Sequence, residues 1–146
     1  MLDLKNPTTQ RAAMQAFFFG YQAFTAKADE MLARRGLSRV HQRIVFFIAH
    51  YPGVSVKELL TLLGVSKQAL NTPLRQLIEM DLVVSVVPPS DKRKRLLELT
   101  ADGVRFEASL RREQVKLLQR VCEQAGEEAV NGWLTINQAL GQSRSS

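Results

Sequence analysis

The segment from Asp81 to Gly103 restricts the possible folds of this chain more than any other. It contains two apolar, β-rich runs, Leu82–Val87 and Leu96–Leu99, separated by proline, serine and aspartate residues that favour a turn. Four consecutive cations follow that turn: Lys92, Arg93, Lys94 and Arg95. A hairpin tip with four cations is costly to bury, so the pattern predicts a β-hairpin that projects toward a polyanion.

Two short helices are predicted immediately before the hairpin. Ser55 and Glu58 have the spacing of a capping box, which marks the start of a helix. Gly64 tolerates the positive φ of a tight turn, and Ser66 can cap the helix that follows. Two helices joined by a tight turn and followed by a basic hairpin are typical of a winged helix-turn-helix that grips duplex DNA.

The second of these helices has a polar outer face, on which amides, a hydroxyl and cations lie side by side. Glutamine and asparagine can bond adenine, arginine can bond guanine, and lysine suits a phosphate. A merely solvated surface explains the helix alone equally well, but the basic hairpin that follows favours DNA. The candidate DNA-contacting residues of this helix are Lys67, Gln68, Asn71, Thr72 and Arg75.

Pro73 lies inside this predicted helix. Proline removes a backbone N–H and clashes with the preceding turn, at a cost of about 3 kcal/mol in a helix interior. Leu74, Leu77 and Ile78 nevertheless keep the helical spacing. The sequence therefore predicts a kink near residues 69–73 rather than a break.

The hairpin tip supplies the remaining DNA-binding candidates. An arginine at such a tip can enter the narrow minor groove, where the negative potential is enhanced. Asp91 has two interpretations at this stage: it pairs with a nearby arginine and fixes the loop, or it simply forms the turn after Ser90. The candidate residues of the tip are Asp91, Lys92, Arg93, Lys94 and Arg95.

Helices are also predicted on both sides of the DNA-binding part, which we place at residues 38–100 with its own first helix near 39–51. Before the DNA-binding part, one helix spans about 8–36. After it, Thr100 can cap a helix at about 101–124, which is followed by a helix at about 127–140. We expect the tail at 141–146 to fray. Residues 101–146 hold six cations and six anions, so this segment is neutral. The DNA-binding part does not require the apolar residues of this segment for its own core. We therefore assign the C-terminal helices, 101–141, together with the first helix, 8–36, to a homodimer interface.

Composition sets the broad class. The chain has 146 residues, 45% hydrophobic residues and a formal net charge of +6, which fits one domain with a core and an anionic partner. Cys122 is the single cysteine, so no internal disulfide can form. With no recognisable signal peptide or membrane-spanning run, we expect a soluble cytoplasmic protein.

The sequence gives little support to other functional classes. There is no glycine-rich phosphate loop, nucleophile motif or histidine–carboxylate constellation, so we expect no enzyme and no cofactor. His41, His50 and Cys122 lack metal-site spacing, so we expect no metal. One alternative stays open: a winged-helix adaptor that binds proteins and not DNA, in which the cationic run would be dispensable.

With these residues in place, the chain resembles the multiple antibiotic resistance regulator (MarR) family. The matching segments are GLSRVHQRIVFFI, VSVKELLTLLGVSKQALNTPLRQLIEMDLV and SDKRKRLLELTADG, which includes Leu99-Thr100-x-x-Gly103. The resemblance implies a mainly α, winged-helix homodimer whose recognition helices read an inverted repeat, and we expect this regulator to be a repressor. It also implies that Arg93 is the minor-groove arginine and that Asp91 orients the wing.

The resemblance further implies a small aromatic or phenolic effector bound between the dimerisation and DNA-binding parts. Aromatic residues of the first helix could line such a pocket, although apolar residues at helical spacing more often belong to the core. His41 and Arg43 could bind an acidic effector, although a surface role is the simpler interpretation. The candidate ligand-binding residues are Phe17, Tyr21, His41, Arg43 and Phe47.

Overall fold

The computed structural model describes residues 4–144, which form six helices and three short strands. In chain order the elements are α1 Pro7–Ala33, α2 Arg39–His50, β1 Val54–Ser55, α3 Val56–Leu63, α4 Lys67–Glu79, β2 Val83–Val86, β3 Leu96–Leu99, α5 Ala101–Ala125 and α6 Glu127–Ser143. The predicted fold class is confirmed: the chain is mainly helical with a small antiparallel sheet. The final helix continues to Ser143, past the predicted end at residue 140; residues 145–146 lie outside the described part.

The described residues divide into two compact units. One is Thr25–Arg112, and the other contains the described residues of Met1–Phe24 and Glu113–Ser146. The division falls inside α1 and α5, and not at the predicted boundaries near residues 36 and 101. The assignment of the terminal helices to a dimer interface stays a prediction.

The unit Thr25–Arg112 holds all the buried residues among those described. Its core is aliphatic, and α2 packs against α3, α4 and β3. Fully buried leucines and isoleucines come from every helix of this unit: Leu32, Ile44, Ile48, Leu59, Leu70, Leu77 and Leu110. This continuous apolar centre fixes the orientation of α4, whose opposite face is left to solvent.

The predicted signals at the helix ends are confirmed. Ser55 accepts a hydrogen bond from the Glu58 N–H at 3.0 Å, and the Glu58 carboxylate accepts from the Ser55 N–H at 3.2 Å. Gly64 ends α3 in the left-handed conformation, with φ of 65°. Ser66 then accepts from the Ala69 N–H at 3.1 Å, so α4 begins where the sequence places it.

The predicted hairpin is one part of a three-stranded sheet in the order β1-β3-β2. In the hairpin, Val83 pairs with Leu99 and Val86 with Leu96, so β2 is shorter than the predicted run Leu82–Val87. The short strand β1 was not predicted; it adds Val54 opposite Leu97. The central strand β3 is therefore paired on both sides, which anchors the base of the hairpin beside the start of α3.

Pro73 does not interrupt α4, which is continuous from Lys67 to Glu79. The proline is buried together with Leu70, Leu74 and Leu77, so its ring packs into the core. This confirms that the helix is not broken. The local bend near residues 69–73 stays a prediction.

The second unit has no buried residue among those described. Eight of its large apolar side chains are 40–62% exposed on the helix surfaces: Phe17, Phe18, Phe19, Tyr21, Trp133, Leu134, Ile136 and Leu140. Separately, no helix within residues 4–144 is long and apolar enough to cross a membrane.

Candidate nucleic-acid interface

The outer face of α4 carries the five side chains that the sequence predicted for DNA contact. Lys67, Gln68, Asn71, Thr72 and Arg75 are all exposed. Four of them, at positions 68, 71, 72 and 75, follow the i, i+3, i+4, i+7 spacing of one helix face. Because the buried residues of α4 hold its inner face against the core, the structure presents these amides, the hydroxyl and the guanidinium together to solvent.

The tip of the hairpin, hereafter the wing tip, spans residues 87–95. Lys92, Arg93, Lys94 and Arg95 are all exposed, and the Arg93 side chain is 93% exposed. Among the described residues, the Arg93 guanidinium pairs with Asp91, at 3.4 Å. These cations can therefore meet phosphates at little desolvation cost.

Asp91 shapes the wing tip through both its main chain and its side chain. Its Oδ1 accepts a hydrogen bond from the Arg93 backbone N–H at 3.0 Å and lies 3.4 Å from the Arg93 Nε. Its N–H donates to the Pro88 carbonyl, and its carbonyl accepts from the Lys94 N–H. Both interpretations from the sequence are thus confirmed, because Asp91 forms the turn and also pairs with an arginine. The carboxylate holds Arg93 close to the tip without burying it.

The base of the wing is joined to the helix-turn-helix by backbone hydrogen bonds. The Val56 N–H donates to the Arg95 carbonyl, and the Gly53 N–H donates to the Leu97 carbonyl. The hydrogen bonds from Ser55, together with the positive charge of Lys94, lower the pKa of Glu58 below its usual value of 4.5. Glu58 therefore stays ionised as a cap at neutral pH, where it also offsets part of the wing charge.

His41 has a structural role that sequence reasoning missed. It is buried, at 6% exposure, so the surface interpretation is wrong. Its Nδ1 accepts from the Ser38 N–H at 3.0 Å, which leaves the proton on Nε2; this nitrogen lies 2.7 Å from the Gln76 Oε1. The imidazole thus caps the start of α2 and bonds to the recognition helix. One sequence signal could have indicated this role: His41 stands three residues after the cap serine Ser38, the position that glutamate or glutamine occupies in a usual capping box.

The five predicted ligand-binding residues are not brought together in one unit. Phe17 and Tyr21 belong to the second unit, and His41, Arg43 and Phe47 belong to Thr25–Arg112. Phe47 is half-buried against the core, and both ring nitrogens of His41 are already engaged. Their common pocket stays a prediction.

A cavity lined by other residues, hereafter the arginine cleft, lies wholly within the unit Thr25–Arg112. Its volume is about 500 Å³, and the Arg35 guanidinium lies 4.7 Å above the Phe106 ring. Arg34 pairs with Glu30, and Arg105 pairs with Asp102. The cleft is lined by Met31, Arg34, Arg35, Met80, Leu82, Asp102, Arg105, Phe106 and Ser109. None of the five predicted residues lines it.

Three comparisons place this fold among known proteins. The chain is 39% identical over 130 residues to the HTH-type transcriptional regulator PetP of Rhodobacter capsulatus, covering 89% of this chain and 78% of the relative. Staphylococcus aureus MarR in complex with salicylate and kanamycin superimposes with a TM-score of 0.74 at 20% identity, covering 97% and 99% of the two chains. A mutant of S. aureus MepR bound to an oligodeoxyribonucleotide gives a TM-score of 0.63 at 19% identity, covering 92% and 98%.

The family profile described as MarR family matches residues 35–94, which include α2, the helix-turn-helix and most of the wing. Asp91, Lys92 and Arg93 of the wing tip lie in this segment, and the three-stranded sheet at the base of the wing lies in or beside it. By the similarity of its sequence over most of its length, and by its fold, this chain belongs to the MarR family of winged-helix transcriptional regulators.

Proposed function

We propose that this regulator is a homodimeric repressor that binds an inverted-repeat operator in duplex DNA and is released by a small acidic aromatic effector. The observation that carries the DNA-binding part is the joint exposure of the α4 face and of the four wing cations on one folded unit. Side chains suited to base edges and cations suited to backbone phosphates are the two contact types that sequence-specific recognition needs.

A variant in which Lys92, Arg93, Lys94 and Arg95 are all alanine tests this DNA-binding role. The wild-type chain should shift a labelled duplex, and the variant should lose this binding because electrostatic contacts supply most of the non-specific affinity. The control is the unfolding midpoint of the two proteins, which should agree because the four side chains are exposed. Unchanged DNA binding by the variant would remove the wing cations from the proposal, and a wild-type chain that shifts no duplex would favour the adaptor alternative.

The proposal of a homodimer is supported by the second unit. A folded unit without a buried residue among those described exposes far more apolar surface than a monomer usually tolerates. Trp133 is 50% exposed and Ile136 is 62% exposed on α6. Pairing with a second copy of the chain would bury these side chains. It would also provide two recognition helices, one for each half-site of an inverted repeat.

Sedimentation velocity at micromolar concentration tests the dimer. The wild-type chain should sediment as a dimer, and Trp133→Glu should shift it toward monomer because a charge would be buried in the interface. Arg144→Glu, an exposed change near the end of α6, is the matched control and should stay dimeric. A folded wild-type monomer would remove the dimer from the proposal.

The proposal of an effector is supported by the salicylate complex of S. aureus MarR and by the arginine cleft. A volume of about 500 Å³ fits a small ligand, and guanidinium groups beside an aromatic ring suit an aromatic carboxylate. Calorimetric titration with salicylate should detect binding to the wild-type chain and much weaker binding to Arg35→Ala. Arg11→Ala, on α1 outside the cleft, is the matched control. Equal binding to all three proteins would place any effector elsewhere.

A further inference from the structure

The motif Leu99-Thr100-x-x-Gly103 has no part in the DNA contacts described above, yet the structure builds a specific junction from it. We propose that Thr100 and Gly103 position the recognition helix by joining the end of α4 to the start of α5, and so set the half-site spacing that the dimer accepts. This inference rests on the proposed function, since it presupposes a dimer on two half-sites.

On the α4 side of the junction, the helix ends in a hydrogen-bonded, left-handed turn. The Leu82 N–H donates to the Leu77 carbonyl, and the Asp81 N–H donates to the Ile78 carbonyl, both at 3.0 Å. Asp81 adopts a φ of 59°, the left-handed conformation that such a helix terminus requires. The carbonyl groups of Asp81 and Leu82 are therefore fixed relative to the last turn of the recognition helix.

Thr100 binds those two carbonyl groups. Its N–H donates to the Leu82 carbonyl at 3.1 Å, and its hydroxyl donates to the Asp81 carbonyl at 2.6 Å. The same hydroxyl accepts from the Gly103 N–H at 3.0 Å, which caps α5. One side chain thus connects the end of α4 with the beginning of α5.

Gly103 brings the two elements into direct contact. A Cβ placed at this position would lie 1.9 Å from the Leu82 carbonyl oxygen, and the affected atom is backbone, so it cannot move aside as a side chain would. The close approach is specific to this position, because a Cβ at Gly141, in α6, would have nothing within 4 Å. A methyl group at position 103 therefore cannot fit unless α5 moves away from the end of α4.

The functional consequence follows from the continuity of α5. This helix runs unbroken from Ala101 to Ala125, so its first turns belong to the unit that carries α4 and its last turns to the unit assigned to the dimer interface. If the interface fixes the end of α5, the junction at Thr100 and Gly103 determines where α4 lies relative to the twofold axis. A looser junction should tolerate half-sites at more than one spacing.

The test uses the full-length protein and a series of duplex inverted repeats whose spacer is shortened or lengthened by one and two base pairs. The wild-type protein should show one preferred spacing. Thr100→Val, which removes the hydroxyl, and Gly103→Ala, which displaces α5, should each reduce the discrimination against off-spacing duplexes by about fivefold, the factor of one typical hydrogen bond. Affinity for a duplex with a single half-site should change little.

The matched controls are Thr100→Ser, which keeps the hydroxyl and should restore discrimination, and Thr61→Val, which removes an exposed hydroxyl from α3 outside the junction and should match the wild type. Thermal unfolding of each variant reports folding; should Gly103→Ala fail to fold, Thr100→Val against Thr100→Ser decides the question. A lowered melting temperature with an unchanged spacing preference would overturn the proposal, as would equal losses on single and paired half-sites. A wild-type protein that prefers no spacing would contradict the proposed dimeric reading instead.

Discussion

Truncation of the wing arginine, Arg93→Ala, gives the most quantitative prediction of this structure. The side chain is 93% exposed and pairs with Asp91 at the wing tip, so its removal takes away no core packing. An exposed ion pair of this kind contributes little to folding, and the free energy of unfolding should change by less than about 0.5 kcal/mol. The effect should therefore fall on DNA binding.

The expected magnitude follows from the release of counterions. Each cation that neutralises one phosphate contributes about 0.9 to the slope of log affinity against log salt concentration. A dimer brings two wings to an inverted repeat, so the variant should lose about 1.8 units of slope. Between about 50 and 200 mM salt, the wild-type affinity should accordingly fall about tenfold more than that of the variant.

Fluorescence anisotropy with a labelled duplex at several salt concentrations measures both slopes. Arg144→Ala, which removes one exposed cation per chain outside the segment assigned to the dimer interface, controls for the change in net charge and should keep the wild-type slope. If Arg93→Ala keeps the wild-type slope, or if both variants lower it equally, the wing does not contact the DNA backbone as proposed.

Three further predictions concern the helices around the site. Gln68→Ala and Asn71→Ala should each weaken binding to the cognate duplex by about 1–3 kcal/mol and leave random DNA nearly unaffected; equal losses on both DNAs would mean that these amides do not read bases. Because the pKa of Glu58 is lowered on folding, its ionised form stabilises the protein above pH 4.5, and this contribution disappears as the pH falls below that value. Glu58→Gln should keep the cap but cannot be protonated, so its free energy of unfolding in urea should fall less than that of the wild type as the pH is lowered. Equal falls in the two proteins would contradict the lowered pKa of Glu58. His41→Ala leaves the Ser38 N–H without its acceptor and should lower the free energy of unfolding by about 1–3 kcal/mol; an unchanged unfolding midpoint would show that the imidazole is dispensable.

The parts of the fold that the sequence predicted depend on local chemistry. Ser55 and Glu58 are three residues apart, and Gly64 needs only its own backbone freedom, so the capping box and the tight turn follow from short-range signals. The cationic wing tip was predictable for the same reason, since four consecutive cations on a turn have few buried alternatives. Asp91 bonds to Arg93 two residues away, and both of its interpretations were available from the sequence.

The missed features depend on residues that are distant along the chain. Strand β1 has two residues and exists because Val54 meets Leu97 in the folded sheet. The role of His41 requires Gln76, 35 positions away, and no periodicity indicates that pairing. The contact between Gly103 and the Leu82 carbonyl is likewise a product of packing. Sequence spacing alone therefore located the exposed polar face of α4 and the cationic wing tip, but not the junctions that hold them in place.

Selection of bound duplexes from a random pool requires both base reading and twofold pairing of the chain, so one experiment tests the proposed function as a whole. We expect enrichment of an inverted repeat whose half-site centres are separated by about one helical turn, or 10–10.5 base pairs, or a multiple of it. Enrichment of a single unpaired site, or the absence of retained duplex even at low salt, would contradict it.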